Sequence, residues 1–196
     1  MKLIISTTSP YSRKCRVMVR EFGMNGDVEE VESHPFDDDP DLLAANPLGR
    51  VPCLLMDDGQ ALTESAIIAD YLAERAGEPW ARDWDDRRLE ALGNGLLDLT
   101  VMRRVEMVRD EGIRSDYWIG RRERGIQRAL DQLESGMGRI ENPMAQGPLT
   151  MAIALSYLDF RYPESDWRSG RPQLQALMDA WAGRSSFQGT APPAQA

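Results

Sequence analysis

Histidine is nearly absent from this chain: His34 is the single one among 196 residues, which argues against His-based catalytic triads and His-rich metal sites. Cysteine is almost as scarce. Cys15 and Cys53 show no metal-ligand spacing, and although one disulfide stays open, nothing marks the chain as secreted. Long apolar runs are missing too. Met1-Lys2-Leu3-Ile4-Ile5 is too short an apolar opening for a signal peptide, and no segment approaches the ~20 apolar residues of a membrane span. A reducing cytoplasm is the expected setting. Basic charge is in deficit, with 23 Lys and Arg against 32 Asp and Glu, a net charge of −9. Nucleic acid and anionic membranes demand a basic footprint, so neither is expected as a partner, although local basic residues can still bind small anions. The acidic cluster Asp37, Asp38, Asp39 and Asp41 reads as a solvated face, since adjacent carboxylates rarely converge on one ion, and no metal is expected. What is present is ordinary for a soluble globular protein: 42% hydrophobic and 28% charged residues, with length for one large domain or two small ones.

Leu3-Ile4-Ile5 reads as a buried strand that leads into a helix from Pro10 to Phe22, with proline at the favoured first helical position and Gly23 or Gly26 after its end. Val28–Val31 is a weak second strand, and 33–45 a loop with one helical turn. Val51–Met56 and Gln60–Leu62 flank Asp57-Asp58-Gly59, a strong hairpin signal. A helix over Ala66–Glu74 follows, closed by Gly77. The order strand, helix, strand, loop, strand, strand, helix predicts a thioredoxin-like α/β domain over 1–76, with a mixed four-stranded sheet. A linker spans 77–84. Beyond it only helical spacing appears, over 85–111, 116–138, 149–160 and 172–182, which predicts an all-α bundle domain over 85–196 with a frayed tail from Thr190.

Three pieces carry chemistry. Ser9-Pro10-Tyr11-Ser12 opens the first helix and looks like the Cys-Pro-Tyr-Cys loop of glutaredoxins with both sulfurs replaced by hydroxyls. A helix N-terminus favours anions and lowers thiol pKa values, so this site can stabilise a thiolate that a ligand supplies. Ser9 reads either in that role or as a plain N-cap. Pro52 precedes an apolar strand, where thioredoxin-like proteins carry a cis proline; the alternative is an ordinary trans proline at a strand start. In the cis form the Val51 backbone would turn outward to pair with a peptide ligand. Glu64-Ser65 stands at the start of the next helix. Ser65 with its N–H suits a carboxylate and Glu64 an ammonium group, together an α-amino-acid head; the plainer alternative is helix capping by Thr63 or Ser65.

Ser9-Pro10-Tyr11, Asn46-Pro47-Leu48-Gly49-Arg50-Val51-Pro52 and Glu64-Ser65-Ala66-Ile67-Ile68 with Tyr71-Leu72 together resemble the cytosolic glutathione S-transferases of the serine type. Gly147-Pro148-Leu149-Thr150 through Tyr157-Leu158-Asp159-Phe160-Arg161 is similar to YibF-like bacterial members. The resemblance implies a glutathione S-transferase that activates the glutathione thiol for attack on an electrophilic small molecule. It implies Ser9 as the catalytic residue, donating to the sulfur, and glutathione binding through Val51 beside Pro52, Glu64 and Ser65. Arg50 and His34 compete for the glycyl carboxylate, with Arg50 preferred. Arg13 is either a source of positive potential near the sulfur or a solvated helix residue. Tyr11, Met102, Val105, Glu106 and Arg109 are candidates to line the second-substrate pocket or to pack in the core. A homodimer is implied by resemblance alone. The same scaffold also serves non-catalytic ligand or partner binding, and glutathione-dependent isomerases and dehalogenases.

The chain departs from that family at one point. The usual Ser/Thr-x-x-Asp capping box of the second domain's core helix is broken, since Thr150 is followed by Ile153, and the helix to Phe160 reads about a turn short. Without a cysteine at position 9 or 12, deglutathionylating chemistry is not expected. Cys15 and Cys53 read as packed thiols.

Overall fold

Strand β1 (Lys2–Ile5) carries Leu3, Ile4 and Ile5 into the core and is the second strand of a four-stranded sheet, ordered β2-β1-β3-β4. The computed structural model describes residues 1–77, 83–137, 142 and 144–194. Helix α1 (Pro10–Glu21) follows β1, and β2 (Glu29–Glu32) then pairs with β1 in parallel, Ile4 opposite Val31. After the short helix α2 (Pro40–Ala45), β3 (Cys53–Leu55) runs antiparallel to β1 and β4 (Ala61–Thr63) antiparallel to β3. Helix α3 (Ser65–Arg75) ends at Ala76, and Gly77 takes the positive φ of +71° that suits glycine after a helix end. The mixed sheet and its helices are the expected thioredoxin-like arrangement. The expected linker lies mostly on 78–82, outside the described residues.

The chain divides into two compact units, Met1–Trp80 with Gly183–Ala196, and Ala81–Ala182. The second unit holds α4 (Trp84–Met107), a 3-10 turn at Glu111–Ile113, α5 (Asp116–Gly136), α6 (Gln146–Arg161) and α7 (Pro172–Ala182). Helix α6 is its core: Leu149 through Leu155 are all fully buried, Thr150 included. The α4 helix ends four residues sooner than its apolar spacing predicts, and Glu111 begins the separate turn.

Helix α6 starts earlier than its apolar spacing predicts. It begins at Gln146, three residues before the predicted start, and the capping is supplied from outside it. The Asp86 carboxylate, in the first turn of α4, accepts the Gly147 N–H at 2.9 Å, and Gln146 Nε2 donates to Glu90 at 2.8 Å. Thr150 is no cap; its hydroxyl donates back to the Gln146 carbonyl at 2.8 Å.

The C-terminal segment is a second correction. It belongs with the first unit rather than the helical one, and it forms a further short helix, α8 (Ser185–Gln188). Thr190, predicted to begin a frayed tail, is fully buried. The segment lies along α1, where Glu21 pairs with Arg184 and accepts from the Ser186 hydroxyl. Burial opposes ionisation of Glu21, but the Arg184 and Ser186 hydrogen bonds outweigh it and hold its carboxyl below the ordinary range. Burial likewise opposes the charge on Glu30, and Arg20 and Arg16 outweigh it. A carboxyl whose folded pKa is depressed adds stability above its unfolded pKa of about 4.3, and that stability goes as pH falls through the folded value. We expect the urea midpoint of the first unit to drop below about pH 4, and Glu21→Gln to flatten that drop.

Candidate functional site

Antiparallel pairing brings three distant segments to one end of the sheet. Because β1 and β3 run in opposite directions, the chain leaving β1 toward Ser9 and the chain entering β3 at Val51-Pro52 share that end. Because β3 and β4 also oppose, with Cys53 facing Thr63, the exit of β4 at Glu64-Ser65 joins them.

Ser9 is the N-cap of α1. Its hydroxyl accepts the Ser12 N–H at 3.2 Å and, among the described residues, has no other partner. Acting as an acceptor toward Ser12 leaves its own proton free to donate, so the capping and thiol-facing readings are compatible in one hydroxyl. Ser12 is fully buried, with its hydroxyl taken by the Ser6 N–H at 3.3 Å.

The Val51–Pro52 bond is cis. Among the described residues the Val51 backbone N–H and C=O enter no hydrogen bond. The turn before it is organised by Asn46, which is 2% exposed. Its side-chain oxygen accepts the Leu48 N–H at 3.1 Å and its amide donates to the Arg50 carbonyl at 2.8 Å. The Asn-Pro-Leu-Gly pattern signals such a turn, but only the contacts make Asn46 a support for the site. Asn46→Ala should cost about 1–2 kcal/mol in urea unfolding, because two backbone groups lose their partner.

Glu64 sits at φ +67°, a backbone conformation that costs a non-glycine residue about 1–3 kcal/mol and recurs at ligand clamps. It occupies the N-cap position of α3, yet the helix has no side-chain cap, so neither Thr63 nor Ser65 caps it. A helix start without a side-chain cap is a place where an anion is favoured. Ser65 is 5% exposed, and its carbonyl accepts the Cys15 thiol at 3.8 Å, which ties α3 to α1.

The two candidates for the glycyl carboxylate differ. His34 Nδ1 lies 3.4 Å from Asp37, and its ring meets Phe36 edge-on. The exposed Arg50 guanidinium has no ion-pair partner among the described residues. Arg13 is not the solvated helix residue of the plainer expectation: it is 5% exposed, and its Nη2 donates to the Phe187 carbonyl at 2.9 Å. Both cysteines are free and buried; burial pushes the Cys15 thiol up to about 12 and the Cys53 thiol upward as well. Neither is a reactive thiolate.

In the helical unit, Met102 and Val105 are exposed on α4 rather than packed in the core. Glu106 is buried and structural: it accepts the Ser115 N–H at 2.9 Å and pairs with Arg122 at 3.3 Å and Arg109 at 3.8 Å, closing the α4–α5 connection. A polar groove of about 440 Å³ lined by Arg20, Glu21, Asn25, Arg184, Ser185 and Ser186 lies at the far end of α1 from Ser9. Its charges are paired, Arg184 with Glu21 and Arg20 with Glu30, so it is the outer face of the C-terminal contact and not the site.

Residues 3–80 match the model of the glutathione S-transferase N-terminal domain. The chain is similar to the uncharacterized GST-like protein YibF of Escherichia coli K12, at 31% identity over 98% of this chain and 99% of that one. Among solved structures, a glutathione transferase family member from Pseudomonas fluorescens Pf-5 with bound glutathione is 34% identical, with a TM-score of 0.92 and 98% of each chain covered. A glutathione S-transferase from Methylobacterium radiotolerans in complex with glutathione sulfonate is 33% identical, with a TM-score of 0.89, covering 100% of this chain and 96% of that one. Similarity of this extent along essentially the whole length, on the same fold, makes the chain a member of the glutathione S-transferase family.

Proposed function

We propose that this protein binds glutathione at the Ser9 end of the sheet and activates its thiol for attack on an electrophilic small molecule. One observation carries the reading: the Ser9 hydroxyl that caps the start of α1, the Val51 backbone edge with no hydrogen bond among the described residues, and the start of α3, which has no side-chain cap, lie at the same end of one sheet. Each suits one part of a tripeptide thiol. Ser9 donates to the sulfur. The Val51 backbone beside Pro52 pairs with the cysteinyl residue as an added strand. The first turn of α3 with Ser65 takes the γ-glutamyl carboxylate, Glu64 the ammonium group, and Arg50 the glycyl carboxylate. The bound relatives support glutathione as the ligand.

The chemistry follows from ionisation. A free thiol of pKa about 8.5 is mostly protonated at neutral pH; lowering it by about two units, worth about 2.7 kcal/mol, makes most of it thiolate. The sulfur lone pair then forms a bond to an electrophilic carbon and the leaving group departs with its electron pair. Family likeness supports three further expectations: a detoxifying role, a homodimer and a cytoplasmic setting, with glutathione as co-substrate and no metal. Sedimentation of the purified chain tests the dimer. Calorimetry tests the core of the reading. Glutathione should bind the wild type, and Glu64→Ala should weaken it about tenfold, or 1.4 kcal/mol. No binding at millimolar glutathione would end the proposal.

A further inference from the structure

The sequence treats the residues from Thr190 as a tail; the structure lays 184–190 along α1, the helix that Ser9 caps. We propose that Arg13 is a positioning residue for Ser9, and that the segment Arg184–Thr190 is the clasp that holds it. The inference rests on the reading of Ser9 as the donor to the glutathione sulfur.

Arg13 and Ser9 are the two ends of one helical turn, since the Arg13 N–H donates to the Ser9 carbonyl at 3.0 Å. Whatever fixes Arg13 therefore fixes the turn that carries the hydroxyl. Its guanidinium is held from several sides by the C-terminal segment. Nη2 donates to the Phe187 carbonyl at 2.9 Å, Nε reaches the Thr190 hydroxyl at 3.5 Å, and the guanidinium carbon stands 4.0 Å over the Phe187 ring. The holders are themselves set. The Thr190 hydroxyl donates to the Ser186 and Phe187 carbonyls at 2.9 and 3.2 Å, and Phe187 and Thr190 are 3% and 0% exposed. The grip continues down the helix. Arg16 Nη1 donates to the Thr190 carbonyl at 3.4 Å, and Glu21 binds Arg184 and Ser186 near the helix end.

The arrangement is more than a stability contact because of where it starts. A cation one turn inside a helix N-terminus opposes the helix dipole, which favours negative side chains there, and α1 has no acidic residue in its first turn. Local preferences are broken where a site needs it, and the broken preference here is adjacent to Ser9. A thiol-activating hydroxyl must hold its position to a fraction of an ångström, whereas the Val51 and Ser65 anchors belong to other elements. Loosening the clasp should then separate thiol activation from peptide anchoring.

The experiment compares wild type, Arg13→Met, Arg13→Lys and Phe187→Ala by two readouts: the thiol pKa of bound glutathione, from thiolate ultraviolet absorbance, and the affinity for S-methylglutathione, which has no thiol to ionise. The expected result is a rise of about one pKa unit, a tenfold fall in the ionisation constant, in Arg13→Met and Phe187→Ala. Arg13→Lys should fall in between, and all four proteins should hold S-methylglutathione within about threefold. An unmoved thiol pKa in both Arg13→Met and Phe187→Ala overturns the positioning role, as does a loss of S-methylglutathione affinity that parallels the loss of thiolate. Failure of the wild type itself to bind S-methylglutathione at millimolar concentration instead ends the glutathione reading, and the clasp's role with it.

Discussion

Ser9→Ala should raise the thiol pKa of bound glutathione by about two units, or about 2.7 kcal/mol, and lower the turnover rate at neutral pH about 25-fold as the thiolate falls from about three-quarters to about 3% of the complex. The hydroxyl has two duties that must be separated. As N-cap it accepts the Ser12 N–H, and removing a serine cap costs a helix about 1 kcal/mol. In the proposed function it is also the donor to the thiolate. Glycine is a tolerable cap, costing only a few tenths of a kcal/mol relative to serine, and it has no hydroxyl. Ser9→Gly should therefore unfold near the wild-type urea midpoint yet show the same raised thiol pKa as Ser9→Ala. If the pKa in either complex stays at the wild-type value, Ser9 is only a cap and the thiolate is stabilised elsewhere. Glutathione should still bind to both variants, since Val51, Glu64 and Ser65 are on other segments.

Gly147→Ala should destabilise the helical unit by about 3 kcal/mol, the upper range for forcing an extra carbon into a packed interior. A Cβ at this position would meet the Asp86 carbonyl oxygen at 2.7 Å, an Asp86 side-chain oxygen at 2.9 Å and Leu89 Cβ at 2.9 Å. Neither the backbone oxygen nor Cβ can swing aside, so α4 and α6 must separate where their termini meet. The same displacement breaks the Asp86 cap on the Gly147 N–H. Asp86→Ala, which loses the cap without a clash, should cost about 1 kcal/mol. Gly95→Ala in α4 is the contrasting case. No atom lies within 4 Å of its added Cβ, and alanine should stabilise the helix by about 0.5–1 kcal/mol. Urea unfolding of the three variants ranks them, and a Gly147→Ala midpoint equal to wild type would contradict the close helix approach.

The legible parts of this protein were local. Ser9-Pro10, Asp57-Asp58-Gly59 and the apolar spacing of the strands and of α4 to α7 act through neighbours in sequence, and each element they signal is present, with the end of α4 and the start of α6 displaced by about a turn or less. The site segments were equally readable, because each rests on a short motif beside a helix start or a strand entry. Illegible were contacts between residues far apart in the chain. Arg13 looked like a helix-surface residue because nothing within a turn of it announces Phe187, 174 positions away. Thr150 looked like a failed cap because its partner was sought within its own helix, while the capping carboxylate, Asp86, lies 61 positions before Gly147, whose N–H it accepts. Glu106 was readable either as pocket wall or as packed residue, and its partners Ser115 and Arg122, which decide for packing, are met only when the α4–α5 connection is folded.

By itself, then, the amino-acid order determined the mixed sheet and the helical second half, since periodicity, turn chemistry and helix-start residues work within a few positions of each other, and its short motifs carried the resemblance to the family. The tertiary structure alone decided which end of the sheet gathers Ser9, Val51 and Ser65, what caps α6, and that the last residues lie along α1. Those outcomes depend on strand direction, on burial and on hydrogen-bond partners that chain folding brings together from a distance, and no local pattern encodes them.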